Sequence, residues 1–386
     1  MMQHFGSVWG KPAGSWSKLL ILPIQWKNTS RCMKNWDILG KMENGKGEMA
    51  NKKILVIQTA FLGDVILSTP FFRALAHVFP GAQVDVVTIP STRSLLQYHP
   101  GIHRIWTLNK RNLFRKGMDF FRLVHAFRKE KYDLAFSLQL HLTSSFLLLA
   151  SGIPVRVGFS RQKFLTHPIQ IPKGLSVRER YLYLLSPWVH SSLDSHTELF
   201  WSDKENQSAQ EIFEKWHRAG RPAIGIAPGS IWPTKRWPFE YYRILVEKLS
   251  FENIDIFLVG GPEDFSLCEK VKGKSEAVNL AGKLSILESA ALLQKLDLLV
   301  TNDSAPMHMA NAVGTKVIAI FGPTVRRFGC YPYREEDEVL EVDLPCRPCS
   351  KHGGKRCPQG HFRCMRDIAP EKVVARVNAY LGEKKK

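Results

Sequence analysis

Twice along this 386-residue chain, short apolar runs rich in β-branched residues end in small-residue loops that open onto helical patterns. That repeat constrains the fold more than any other feature, because strand–helix alternation builds a parallel sheet covered by helices. In the first series, residues 54–58 are the apolar run and Thr59-Ala60-Phe61-Leu62-Gly63-Asp64 the loop. Val65, Leu67, Phe71, Leu75 and Val78 then form a helix face that Pro80-Gly81 stops. Residues 84–89 and 132–138 are predicted as further strands. Residues 202–220 are polar and read as a linker plus helix. In the second series, strands are predicted at 223–227, 254–259, 278–280, 298–301 and 317–321, with helices at 240–249, 284–295 and 305–313. The expected class is α/β, with two Rossmann-like, doubly wound domains at 49–201 and 221–386 facing a central cleft. A C-terminal helix closes the second. The length is that of about two domains.

Residues 1–48 carry Trp9, Trp16, Trp26 and Trp36 but no sustained period. They lack the apolar core and small-residue cleavage site of a signal peptide. Gly45-Lys46-Gly47-Glu48 requires purine-rich codons, as a ribosome-binding site would. Translation is therefore expected to begin at Met42 or Met49, leaving 1–48 as a mis-assigned extension. No apolar run approaches the roughly 18 residues that span a bilayer.

Lys and Arg number 54 against 35 Asp and Glu, a net +19. Residues 104–131 alone hold nine basic and two acidic residues. Such a surface suits an anionic partner: nucleic acid, an acidic lipid headgroup or a phosphorylated sugar. A solvated basic helix face explains the same count.

Ligands of doubly wound sheets bind where strands end, so the loops carry the functional signal. Gly63-Asp64 opens a predicted helix. There Asp64 is either an N-cap or a base that the helix dipole keeps ionised. Pro228-Gly229-Ser230 followed by Thr234-Lys235-Arg236 offers backbone N–H groups and two cations to a diphosphate. Neither a Walker loop nor a dinucleotide fingerprint is present. Gly260-Gly261-Pro262-Glu263 presents a carboxylate suited to a ribose. Asn302-Asp303-Ser304-Ala305-Pro306-Met307-His308 opens the helix at 305–313, and Gly322-Pro323-Thr324 forms another small-residue turn. Together these loops point to a nucleotide-diphosphate site.

Four cysteines cluster as Cys346-x2-Cys349-x7-Cys357-x6-Cys364. The spacing fits a structural zinc site. An iron–sulfur cluster, disulfides or reduced thiols in a basic loop are the alternatives. A zinc-stabilised nucleic-acid-binding protein would use the charge and the cysteines, yet it leaves the ordered strand-end loops without a purpose.

Lys53-Ile54-Leu55-Val56-Ile57 with Leu62-Gly63-Asp64-Val65-Ile66 and Pro70 resembles the start of the lipopolysaccharide heptosyltransferases of glycosyltransferase family nine. Ala227-Pro228-Gly229-Ser230, Lys235-Arg236-Trp237-Pro238, Thr301-Asn302-Asp303-Ser304 with Met307-His308, and Phe321-Gly322-Pro323-Thr324 follow in the family's order. The Cys-rich segment with Cys357-Pro358 and His361 looks like that of the type II enzymes. The resemblance implies a GT-B fold and inverting transfer of heptose from ADP-heptose to the Kdo-heptose inner core of lipid A-linked saccharide. It implies Asp64 as general base, Lys235 on the donor diphosphate and Glu263 on the adenosine ribose. Asp303, Ser304 and His308 surround the donor. Gly63, Ser230, Thr234, Arg236, Met307, Gly322 and Thr324 complete the expected donor site. Arg73, Arg93, Arg156 and Arg161 are candidates for the anionic acceptor. Another core position or sugar of the same family is the alternative activity. The sequence contains no Asp-x-Asp motif, so the donor phosphates are expected to need no metal cofactor. The expected enzyme is a cytoplasmic monomer, peripheral at the inner membrane surface, with no nucleic-acid partner. Where the family often has Gly-Leu after Asp-Ser, this chain has Ala305-Pro306.

Overall fold

Strand β1 (Lys53–Ile57) carries the apolar run that opens the first series. Its residues alternate between two cores, Ile54 and Val56 facing one, Leu55 and Ile57 the other. A strand buried on both faces reads as a continuous apolar run for this reason. The structure, a computed structural model, describes residues 52–110, 113–189 and 191–383. The predicted extension at 1–48 and its start-site expectation lie outside the described residues.

After β1 come α1 (Leu62–Leu67) and α2 (Thr69–Val78), where the sequence pattern predicts one helix. The break falls at Ser68, whose hydroxyl donates to the Val65 carbonyl at 2.7 Å. Pro70, lacking an N–H, starts the second helix instead of continuing the first. The half continues through β2 (Gln83–Thr88), β3 (Arg104–Thr107), α3 (Leu113–Glu130), β4 (Leu134–Ser137), α4 (Leu142–Ser151), β5 (Val155–Phe159), β6 (His167–Ile169) and α5 (Val177–Leu182). All six strands are parallel, in the order β3-β2-β1-β4-β5-β6.

Helix α6 (Asp203–Trp216) occupies the predicted linker segment. The second half runs β7 (Ala223–Ala227), α7 (Phe239–Ser250), β8 (Asp255–Leu258), α8 (Phe265–Lys272), β9 (Val278–Asn279), α9 (Ile286–Gln294), β10 (Leu298–Asn302), α10 (Ala305–Val313), β11 (Lys316–Ile320), β12 (Glu338–Leu340) and α11 (Pro370–Glu383). Its parallel order is β12-β11-β10-β7-β8-β9, the same winding as the first sheet. In each sheet the winding reverses between two central strands, β1 and β4 or β7 and β10. That leaves a crevice at their carboxyl ends.

The halves meet face to face. One apolar cluster runs from Ile54 and Phe71 through Ala291 and Met307 to Phe321. The Val177 N–H donates to Gly329 O at 3.1 Å, and the Thr197 N–H donates to Tyr333 Oη at 2.9 Å. The Arg178 guanidinium lies over the Tyr333 ring, 3.5 Å from its centroid.

Candidate active site

Asp64 stands on the first turn of α1, whose N-cap position is Phe61. The N-cap alternative for Asp64 therefore fails. Its carboxylate is engaged by no hydrogen bond or ion pair among the described residues. Burial pushes its pKa above the ordinary carboxylate range, while the positive charges of His352, Lys235 and Lys351 pull it down. Where the helix start was expected to favour an ionised carboxylate, burial instead raises its proton affinity. A carboxylate raised in this way is a stronger base than a solvent-exposed one.

Gly63 explains how Asp64 reaches the second half. A Cβ placed there would lie 3.0 Å from Cδ2 of His308 and 4.0 Å from Cα of Ala305. Only a glycine lets α1 sit this closely on the start of α10. Pro306 stands in the first turn of α10, so the departure at Ala305-Pro306 is accommodated as an ordinary helix start.

The second half supplies the polar cluster. Lys235 Nζ pairs with Asp303 Oδ2 at 2.6 Å, and Thr324 Oγ1 donates to the same oxygen at 2.6 Å. Asp303 is thus a buried anchor that aims Lys235. Ser304 occupies the N-cap of α10 without a side-chain capping bond. His308 is buried, and desolvation lowers its pKa to about 4, so at neutral pH it is an uncharged imidazole. Its Nδ1 has no hydrogen-bond partner. Met307, expected at the donor, is instead fully buried in the shared core.

Asn302, to which the sequence pattern assigns no role, holds these loops together. Its Oδ1 accepts from the Trp237 N–H at 3.0 Å and from the Tyr242 hydroxyl at 3.1 Å. Its Nδ2 donates to Pro228 O at 2.9 Å. A second missed residue is Asp264. Its carboxylate lies so close to Gly229 that no Cβ fits there, and it accepts from the Gly261 N–H at 3.2 Å. The neighbouring Glu263 is exposed. Arg236 Nε donates to Ser230 O at 2.7 Å and so braces the turn.

The Cys-rich segment lies across these loops as a strap. Arg347, nearly buried, donates to the carbonyls of Gly322, Val342 and Thr324 and pairs with Glu341. The Cys349 N–H donates to Pro323 O at 3.1 Å. Thr234 Oγ1 exchanges bonds with the Gly354 carbonyl and N–H at 2.9 and 2.7 Å. These contacts carry Lys351 and His352 to the side of Asp64. The four-thiolate zinc set expected at Cys346, Cys349, Cys357 and Cys364 is not assembled. Among the described residues no group of three or more His, Cys, Asp or Glu is placed to hold a metal. The Cys349 thiol turns to the Cys346 carbonyl at 2.9 Å, and Cys364 is buried in the second-half core. Arginine and backbone bonds tie the strap to these loops.

The acceptor candidates separate. Arg73 is committed to Asp194 at 2.9 Å and Glu198 at 2.6 Å. Arg156 donates to Phe164 O and Ile153 O. Arg93 and Arg161 are exposed. A polar cavity of about 270 Å³ lies at the opposite edge, where β1, β2 and β3 begin. Its groups pair among themselves, as in Tyr132 Oη to Asp85 Oδ2 and Lys53 Nζ to Glu130 Oε2, so it offers no open chemistry.

Comparison with known proteins gives this arrangement a context. The family described as glycosyltransferase family 9 (heptosyltransferase) matches residues 120–358. The chain is 26% identical over 346 residues to lipopolysaccharide heptosyltransferase 2 of Escherichia coli K12, covering 85% of this chain and 98% of that protein. Lipooligosaccharide heptosyltransferase 2 of Haemophilus influenzae is 27% identical over 353 residues, covering 86% and 99%. Among solved structures, a glycosyl transferase of family 9 from Veillonella parvula superposes with a TM-score of 0.76 at 24% identity, covering 87% of this chain and 99% of that one. The E. coli ADP-heptose LPS heptosyltransferase II superposes with a TM-score of 0.71 at 26% identity, covering 86% and 100%.

Proposed function

Since this chain belongs to glycosyltransferase family 9, the heptosyltransferases, we propose that it moves heptose from ADP-heptose to the Kdo-heptose inner core of a lipid A-linked saccharide. The observation that carries the reading is the unpaired, burial-raised Asp64 carboxylate held against the start of α10, beside the Lys235–Asp303–Thr324 cluster. Asp64 takes the proton of an acceptor hydroxyl as its oxygen bonds to the anomeric carbon of heptose. The anomeric carbon–phosphate oxygen bond breaks on the opposite face, which inverts the configuration. The electron pair leaves with ADP.

Lys235 and the N–H groups of the Pro228-Gly229-Ser230 turn and of the α10 start are aimed where that charge develops. Ser230, Thr234 and Arg236 shape the turn, and Gly322 and Thr324 close its far side. Glu263, with Asp264 next to it, is suited to the adenosine ribose. The exposed Arg93 and Arg161 remain for an anionic acceptor, joined by Lys351 and His352 of the strap. Protein groups supply the charge compensation, so the proposed reaction requires no cofactor. A single chain brings both sides of the site together, which suits a monomer. No helix among the described residues is long and apolar enough to cross a membrane. We place the enzyme at the cytoplasmic face of the inner membrane, where a lipid-anchored acceptor would be met.

The test is product analysis with ADP-heptose and a set of defined acceptors. A mass gain of one heptose on Kdo-heptose lipid A, with equimolar ADP released, is expected. No transfer to any Kdo-containing acceptor would overturn the reading.

A further inference from the structure

Large apolar side chains are exposed singly on most protein surfaces, but contiguous sets mark contact sites. Of the 13 exposed large hydrophobics among the described residues, seven fall between residues 118 and 164. Met118 and Phe121, three apart on α3, share one outward helix face, and Phe121 is 73% exposed. Leu142, Phe146 and Leu149 form an outward stripe on α4 at the same helical spacing. The loop residue Phe164 joins them, its ring centroid 5.0 Å from that of Phe146.

Helix α4 contains no charged residue at all, while its other face, Leu147 and Leu148, is already buried against the sheet with Leu123 and Phe127 of α3. A helix apolar on both sides belongs between two apolar surroundings. Here the inner one is the core and the outer one is open.

The rim of this patch is cationic. Arg122, Arg128 and Lys129 on α3, with Arg161 and Lys163 beside Phe164, are exposed. The two acidic residues of α3 are both ion-paired: Asp119 with Arg122, and Glu130 with Lys53 and Arg104. Both helices start where β3 and β4 end, so the patch begins at the strand-end edge that holds Asp64. A second copy of this chain docking about a two-fold axis would bring these cations against one another. An anionic lipid surface meets both features, taking the apolar side chains below its headgroups and the lysines and arginines among them.

We propose that the outer face of α3 and α4, with the Phe164 loop, is the docking surface for an anionic lipid bilayer. Its use for presenting a lipid-linked acceptor rests on the proposed function; vesicle binding does not.

The experiment is sedimentation of the full chain with vesicles of phosphatidylcholine alone or mixed with phosphatidylglycerol, at low and high salt. Transfer to a water-soluble, delipidated acceptor is measured in parallel. The wild-type protein is expected to partition onto the anionic vesicles and to release in salt. Phe121→Ser with Phe146→Ser, and separately Lys129→Glu with Lys163→Glu, should each weaken that partitioning by about tenfold or more. Transfer to the soluble acceptor should be unchanged in both variants. Wild-type partitioning that both variants retain, equal binding to neutral vesicles, or no vesicle binding would overturn the proposal. So would a dimer that Phe121→Ser with Phe146→Ser dissociates, since that would assign the face to a second copy. Vesicle binding without heptose transfer would leave the docking surface standing and remove the proposed activity.

Discussion

Asn302→Ala tests whether one side chain holds the strand-end loops in place. The amide is fully buried at the end of β10 and reaches back to Pro228, Trp237 and Tyr242, each 60–74 residues away in sequence. Its removal strands the Trp237 N–H, the Tyr242 hydroxyl and the Pro228 carbonyl, which it satisfies at 3.0, 3.1 and 2.9 Å. A buried group left without a partner costs about 1–3 kcal/mol, so the three together should cost about 3–9 kcal/mol. Tyr242→Phe removes one donor and leaves Asn302 bonded to Trp237, so it should cost only about 1 kcal/mol. In Asn302→Ala with Tyr242→Phe no hydroxyl is stranded. The double variant should therefore fall short of the sum of the singles by about 1 kcal/mol or more. Guanidinium unfolding of the four proteins measures the cycle, and calorimetric titration with ADP reads the loops. A loss below about 1 kcal/mol for Asn302→Ala, or strict additivity, would refute the reasoning.

Three further outcomes are expected. Gly63→Ala places a methyl group 3.0 Å from the His308 ring, so the ring or α1 must give way by a few tenths of an ångström. Displacing Asp64 by even a fraction of an ångström should lower kcat by about ten- to a hundredfold while the melting temperature changes little. Lys351→Gln with His352→Gln removes positive charge that lowers the Asp64 pKa, so the acid limb of the kcat/KM profile should move to higher pH. His308 titrates near 4 when folded and near 6.5 when unfolded, so the unfolded chain binds the extra proton between those values. Stability is then complete above pH 6.5 and declines as pH falls toward 4, by about 3 kcal/mol in all. His308→Asn should flatten that slope in urea titrations run at successive pH values.

The strand-end loops were legible because each joins a β-branched run to a helix through small residues. The helix 305–313 matched to the residue, since Ser304, Pro306 and Gly314 mark both ends. Strands β3, β5, β6 and β12 escaped because they lie toward the sheet margins and mix polar or glycine residues into short runs. The apolar run at 146–150 proved to be part of α4, whose outward side the alternation of strand and helix could not foresee. Asn302, Asp264 and Arg347, which tie the strand-end loops together, carry no sequence signal for a different reason. A hydrogen-bonding hub is defined by the segments it joins, and a single buried amide or guanidinium carries no periodic signal. The cysteine spacing does bring the thiols near one another, but sequence spacing alone does not set the ligand geometry of a metal site, and among the described residues none is formed. Asp64 stands on a helix start, as its Gly-Asp loop suggests, but burial, which the local sequence does not encode, raises its proton affinity.

Asp64→Asn, assayed for heptose transfer and for ADP affinity in the same preparation, bears most directly on the proposed chemistry. The amide keeps the shape of the carboxylate but cannot take the acceptor proton. ADP affinity and the melting temperature should stay at wild-type values while kcat falls by about 10²–10⁴. Transfer at the wild-type rate would contradict the account and take Asp64 out of the reaction.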